Sequence, residues 1–217
     1  MEKRFSIVNK DVEKYIQETL APLKGNLGEI HFEAVKEGIP VSRLEILRVL
    51  ETICSIKRPD AILELGCAVG LTSIFFSSYL SDNGYIDTVE NDINMVNMAR
   101  SNIRKFLLDK KINVIYAEAM DYLININKKY DIIFIDAAKG QYERYFDICS
   151  NLLNDKGIII ADNVLYRGMV AKGDKVPHRQ NTLVERLRSF LDKIAQDERF
   201  STSILSVGDG LSISVKK

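Results

Sequence analysis

Up to about residue 56 the apolar positions keep helical spacing. Val12, Ile16 and Leu20 recur every four residues, and Leu47, Leu50, Ile53 and Cys54 mark one face of a later helix. From Asp60 onward the pattern changes to short β-rich runs alternating with helical stretches. Ala61 to Leu65 precedes Leu71 to Leu80, Tyr85 to Val89 precedes Asn94 to Leu108, Asn113 to Tyr116 precedes Met120 to Ile126, and Asp131 to Ile135 precedes Tyr142 to Leu153. That alternation predicts βαβ units and a mostly parallel, doubly wound sheet. A fifth strand at Gly157 to Ala161 and a helix from about Thr182 to Ile194 follow, then strand-like runs at Phe200 to Ser206 and Leu211 to Val215. Gly208-Asp209-Gly210 between those runs reads as the turn of a closing hairpin. The expected fold is α/β, with seven strands, the last pair antiparallel, and an amino-terminal helical layer. No repeat, low-complexity tract or Pro/Gly/Ser linker divides the chain, so one domain is expected over 1–217, with the helical layer at 1–56 and the core at 57–217.

Composition narrows the class. At 217 residues, 46% of them apolar, the chain can bury one sizeable core. Its longest apolar runs, such as Ile132 to Ile135, are far too short to span a bilayer, and the opening Met-Glu-Lys-Arg-Phe lacks a signal-peptide h-region. A cytoplasmic protein with no membrane partner is expected. Cys54, Cys67 and Cys149 are odd in number and far apart, so they suit neither a disulfide framework nor a Cys-x-x-Cys zinc site and read as buried thiols. Thirty basic and thirty acidic side chains cancel, which argues against non-specific nucleic-acid binding through bulk charge. One local patch stands out. Arg167, Lys172, Lys175, His178, Arg179, Arg186 and Arg188 face only Asp174 and Glu185 in the stretch from 167 to 188, which reads as a solvated loop and helix face or as a contact for a polyanion.

The first strand runs into Glu64-Leu-Gly66-Cys-Ala-Val-Gly70, a loop whose glycines let the backbone approach a nucleoside-like ligand closely. Its spacing departs from the Gly-x-Gly-x-x-Gly dinucleotide fingerprint, which leaves an NAD-dependent oxidoreductase as a remote alternative. Glu90 closes the second strand about twenty residues beyond Gly70, where its carboxylate can accept hydrogen bonds from ribose hydroxyls. With the terminal hairpin, these features resemble the Rossmann-like class I S-adenosylmethionine methyltransferases. Thr72, at the start of the next helix, serves there as a methionine-carboxylate contact or as an ordinary helix cap. Glu118 falls where this class often has an acidic residue near the adenine, and Ala119 offers a backbone N–H.

The fourth strand ends at Asp136 and the fifth at Asp162-Asn163. Residues just past the carboxyl ends of neighbouring parallel strands share one crevice, so two carboxylates and an amide oxygen can converge beside the cofactor. Such oxygen donors suit Mg²⁺ or Mn²⁺, which keep open positions for substrate oxygens. Neither histidine is placed to make zinc a competitor, His31 belonging to the helical layer and His178 to a loop. Each acidic residue alone would be an ordinary cap or turn.

Asp136-Ala-Ala-Lys139-Gly-Gln-Tyr142 with Asp162-Asn-Val-Leu-Tyr-Arg-Gly168 resembles the metal-dependent O-methyltransferase family that includes catechol and caffeoyl-CoA O-methyltransferases and the bacterial tRNA 5-hydroxyuridine methyltransferase. The resemblance covers nearly the whole chain. It implies Asp136, Asp162 and Asn163 as metal ligands and Lys139 as general base. It further implies a cofactor site built from Val41, Ser42, Glu64, Gly66, Gly70, Thr72, Glu90, Glu118, Ala119 and Asp136, and it implies a homodimer. Tyr166 stands where many relatives have tryptophan, and Ala117-Glu118 where Gly-Asp is common; both keep the chemical character, but Tyr166 changes the wall of the acceptor pocket. A hydroxyl beside a second oxygen describes catechols, caffeoyl groups and the 5-hydroxyuracil of tRNA alike. The basic stretch and the short chain favour the tRNA wobble uridine, converted to 5-methoxyuridine, with a small catechol or caffeoyl-type acceptor as the alternative. A non-catalytic scaffold would leave Asp136, Lys139, Asp162 and Asn163 without a purpose.

Overall fold

The computed structural model describes residues 9–171 and 176–217, so Lys172, Asp174 and Lys175 of the basic stretch lie outside the described residues. Helix α1 (Lys10–Thr19) starts at Asn9, whose side chain accepts the Asp11 and Val12 amides. Helix α2 (Gly25–Glu37) stops at Gly38, which takes the left-handed conformation that closes a helix end. Helix α3 (Leu44–Lys57) buries Ile46, Leu47, Leu50 and Cys54 at the spacing read from the sequence.

The sheet then builds through β1 (Ala61–Leu65), α4 (Leu71–Ser77), β2 (Tyr85–Glu90), α5 (Ile93–Lys105), β3 (Ile112–Tyr116), α6 (Ala119–Asn125), β4 (Tyr130–Ile135), α7 (Tyr142–Leu152), β5 (Leu153–Asp162), α8 (His178–Gln196), β6 (Phe200–Leu205) and β7 (Leu211–Lys216). Its seven strands lie in the order β3-β2-β1-β4-β5-β7-β6. Pairings from β3 across to β5 are parallel, while β7 is antiparallel to both β5 and β6, so the terminal hairpin closes the sheet as expected.

Alternate side chains on each central strand enter opposite layers, and both layers are apolar. Ile62, Ile132, Phe134 and Ile160 join α2 to α5 in one core, whereas Leu63, Leu65, Ile133, Ile135 and Ile159 join α6 to α8 in the other. All three cysteines are buried. On α2, Ile30 is buried beneath the layer while Phe32 and Val35 stay exposed. Among the described residues no helix is long and apolar enough to cross a membrane.

Four boundaries differ from the sequence reading by three residues or more, one of them the end of α5, at Lys105 rather than Leu108. Helix α4 stops at Ser77 rather than Leu80, and β5 begins at Leu153 rather than Gly157, its early part carrying Lys156 at φ +56° and a register break opposite β4. Helix α8 begins at His178 behind Pro177, so His178 opens a helix and is not in a loop. Its first turn faces solvent and shows no apolar period to read.

Strand β1 has β2 on one side and β4 on the other, which opens a crevice beyond their carboxyl ends, where ligands of open α/β sheets bind.

Candidate active site

The crevice is shaped by a close approach of two loops. Gly66 has φ +92°, and a Cβ there would lie 2.1 Å from the Asp136 carbonyl oxygen. The Asp136 N–H in turn donates to the Leu65 carbonyl at 2.9 Å. Only glycine allows both the handedness and the contact.

On one side of this contact lies a cavity of about 290 Å³ bounded by Val41, Ser42, Gly66, Glu90, Asp136, Lys139, Asp162 and Asn163, with Pro40 and Ile46 as apolar wall and Arg43, Ala68 and Asp209 completing it. On the other lies a cavity of about 180 Å³ bounded by Gly66, Glu90, Asn91, Glu118, Ala119, Asp136 and Tyr145. Gly66, Glu90 and Asp136 belong to both. The two cavities are therefore neighbours in one crevice.

Glu90 is held by main-chain donors: Oε1 accepts the Asn91 and Asp92 amides at 2.9 and 3.0 Å, and Oε2 accepts the Ala68 amide at 2.9 Å. A carboxylate oxygen offers two lone pairs, so Oε2 is the one with capacity for a ribose hydroxyl. Glu118 accepts from the Asn91 side chain at 2.9 Å, which fixes it at the rim of the smaller cavity. Glu64, Gly70 and Thr72 line neither cavity. Thr72 instead exchanges a 3.2 Å hydrogen bond with Ser42 and so supports the cavity wall from behind. Glu64 is fully buried, accepts the Ser73 and Thr88 hydroxyls through Oε2, and leaves Oε1 without a partner. Burial pushes its carboxyl up to about 7, against the two hydroxyl bonds and with help from the charges of Asp136 and Glu90.

Beyond β4 and β5 the acidic side chains meet. Lys139 Nζ lies 3.7 Å from Asp136 Oδ1, and a single turn of 3-10 helix from Lys139 to Gln141 sets that spacing. Asp162 is 3% exposed, and burial with the neighbouring Asp136 charge pushes its carboxyl up to about 8. Burial also raises Asp136, against the pull of Lys139. Asp162 Oδ1 accepts both the Asn163 main-chain N–H at 2.6 Å and the Asn163 side-chain N–H at 3.3 Å, which leaves the amide oxygen of Asn163 as an outward acceptor. Asn163 adopts φ +56°, a region that asparagine tolerates better than most residues.

Two desolvated carboxylates facing one ammonium favour a compensating positive charge, and their companion donor is again oxygen. Among the described residues no three His, Cys, Asp or Glu side chains gather as a metal-binding group; what borders the cavity here is the carboxylates of Asp136 and Asp162 and the amide of Asn163. That set fits a hard divalent cation that retains other oxygen ligands.

Sequence reasoning missed Asp209, Arg43 and Tyr142. Asp209 had read only as a hairpin turn, yet it borders the larger cavity, its carbonyl accepts the Leu165 amide at 3.0 Å, and its carboxylate accepts the Arg167 amide. Arg43 carries an ion pair to Glu13 of α1 at 2.5 Å. Among the described residues of the basic stretch, none borders either cavity. Arg186 donates to the Gly140 carbonyl at 3.5 Å, and Arg188 donates to the Val170 carbonyl at 2.9 Å and pairs with Glu185.

The strand order, the antiparallel closing pair and the cavities beyond β1, β2 and β4 define a Rossmann-like methyltransferase fold. A profile of the O-methyltransferase family matches residues 21–217, and the chain belongs to that family. It is 28% identical to the caffeoyl-CoA O-methyltransferase of Populus kitakamiensis, over 81% of this chain and 76% of that one. It is 27% identical to the catechol O-methyltransferase of Niastella koreensis, over 95% and 94% of the two chains. The structure of an O-methyltransferase from Bacillus cereus in complex with SAH superposes with a TM-score of 0.83 at 27% identity, covering 100% of both chains. The protein is thus an O-methyltransferase of the caffeoyl-CoA and catechol type.

Proposed function

We propose that this enzyme uses S-adenosylmethionine and a divalent cation, Mg²⁺ or Mn²⁺, to methylate a hydroxyl that lies beside a second oxygen on a small aromatic acceptor. The observation that carries the reading is the gathering of Asp136, Lys139, Asp162 and Asn163 around one cavity that shares Gly66, Glu90 and Asp136 with the neighbouring cavity beside Glu118. Relatives named for caffeoyl-CoA and for catechol support the acceptor class.

The smaller cavity receives the adenosine end, with Glu90 accepting from the ribose and Ala119 bordering the base. Val41 and Ser42 border the methionine end, and Thr72 steadies Ser42. Asp136, Asp162 and Asn163 would hold the cation, which when bound supplies a Lewis acid that lowers the acceptor hydroxyl's pKa and fixes its direction. Lys139 Nζ borders the same cavity and, as the neutral amine, accepts the hydroxyl proton, while Asp136 at 3.7 Å receives the ammonium so formed. Pro40, Val41 and Ile46 provide the apolar wall against which an aromatic ring packs and from which water is displaced.

The 5-hydroxyuracil of tRNA carries the same pair of adjacent oxygens and remains the second reading. Against it, Arg186 and Arg188 are bonded to the protein's own carbonyls and to Glu185 rather than forming an open cationic track. Methyl transfer from labelled cofactor to a catechol panel and to hypomodified tRNA decides between them. Catechol turnover that EDTA abolishes and Mg²⁺ or Mn²⁺ restores is the expected result. Labelling of tRNA alone overturns the acceptor, and full activity in chelator overturns the metal.

A further inference from the structure

Tyr142 is 1% exposed, and its ring packs edge-on against Phe190 with centroids 5.7 Å apart. A buried phenol needs a hydrogen-bond partner, and this one finds an unusual pair of attachments. Its hydroxyl donates to the main-chain carbonyl of Asp162 at 3.0 Å, while its own main-chain N–H donates to the carbonyl of Lys139. A single residue therefore ties the loop after β4 to the end of β5.

The carbonyl it holds belongs to the peptide group that joins Asp162 to Asn163. Both polar ends of that peptide are fixed: the N–H by the carboxylate of Asp162 at 2.6 Å and the C=O by Tyr142. The next residue, Asn163, sits at φ +56°, a conformation that relaxes readily once its flanking peptide can rotate. Holding this plane holds the angle between the two adjacent side chains. The following peptide is held separately, its Val164 N–H donating to the Gly210 carbonyl at 3.0 Å and its Asn163 carbonyl accepting the Tyr166 N–H at 3.2 Å, so Tyr142 secures the one peptide that lies between the two side chains.

We infer that Tyr142 is a positioning residue for the divalent-cation site, locking the Asp162–Asn163 peptide so that both side chains present their oxygens together while Lys139 is kept in register. The inference rests on the metal-dependent reading above. It concerns the hydroxyl alone. Ring packing against Phe190 is separable from it.

The test uses the full chain with saturating SAH and measures Mn²⁺ binding by calorimetry, beside SAH affinity and thermal melting. Tyr142→Phe keeps the ring and removes the hydroxyl. Its Mn²⁺ dissociation constant is expected to rise by roughly tenfold or more, as loss of an outer-shell partner does, with SAH affinity unchanged. Phe190→Leu loosens the ring but keeps the hydroxyl, and is expected to lower the melting temperature while Mn²⁺ affinity stays within about twofold. Wild-type Mn²⁺ affinity in Tyr142→Phe overturns the inference, as does equal weakening in both variants. A wild-type chain that binds SAH but no Mn²⁺ overturns the metal reading itself.

Discussion

Lys139 and Glu64 show how surroundings decide whether an ionisable side chain serves the site or the fold. Lys139 reaches the cavity from a short turn with its Nζ 3.7 Å from Asp136, and it is placed to take a proton there only as the neutral amine. Lys139→Ala is expected to lower kcat roughly 10²- to 10⁴-fold, the usual contribution of a positioned base, while SAH affinity by calorimetry stays at the wild-type value. Lys139→Arg should be no better, because a guanidinium keeps the charge and cannot accept the proton. Glu64 serves the fold instead. Burial raises its carboxyl from 4.5 to about 7, so between those values the folded chain holds a proton that the unfolded chain releases. Its contribution to stability is complete below about 4.5 and is lost as pH climbs through about 7, a change on the order of 3 kcal/mol. Denaturant unfolding from pH 5 to 8 should show wild type losing more stability across that window than Glu64→Gln. Parallel curves would refute the assignment.

At the scale of elements, the site depends on how closely loops meet. Gly66 combines φ +92° with an Asp136 carbonyl oxygen that any Cβ would overlap, whereas Gly38 has φ +74° and nothing within 4 Å. Gly38→Ala should cost only about 1 kcal/mol, the handedness penalty alone. Gly66→Ala must also part the loops after β1 and β4, so it should cost at least about 2 kcal/mol and weaken SAH binding, as read by urea denaturation and calorimetry. Equal penalties for the two variants would show that the loop contact is unimportant. The elements themselves were legible where an apolar face met the core. Strand β1 matched residue for residue, and β2 to β4 matched within a residue at each end. The starts of β5 and α8 were hidden, because Asn154, Asp155 and Lys156 are polar and the first turn of α8 points to water. Hydrophobic periodicity carries no signal there.

For the molecule as a whole, the sheet order explains which parts of the site were visible in the chain. Asp136, Asp162 and Asn163 end adjacent strands, and Glu90 ends the strand on the far side of β1, so strand-end logic alone brought them together. Asp209 arrives from the antiparallel hairpin and Arg43 from the start of α3, approaches that no local spacing encodes. Tyr142 was legible as part of a motif but not as a tie, because its partner carbonyl lies twenty residues away. The opposite, amino-terminal edge of the sheet uses the same residue types to another end. Asp131 accepts the Asp60 and Ala61 amides and the Asn154 side chain, and these bonds outweigh burial to hold its carboxyl low. Asp87 is likewise secured by Lys128, Tyr130 and Asn113. Carboxylates are thus left unsettled at one edge and satisfied at the other. Substitutions that tighten the amino-terminal edge therefore fall at the end of the strands away from the residues proposed for turnover, which makes that edge the place to harden the enzyme.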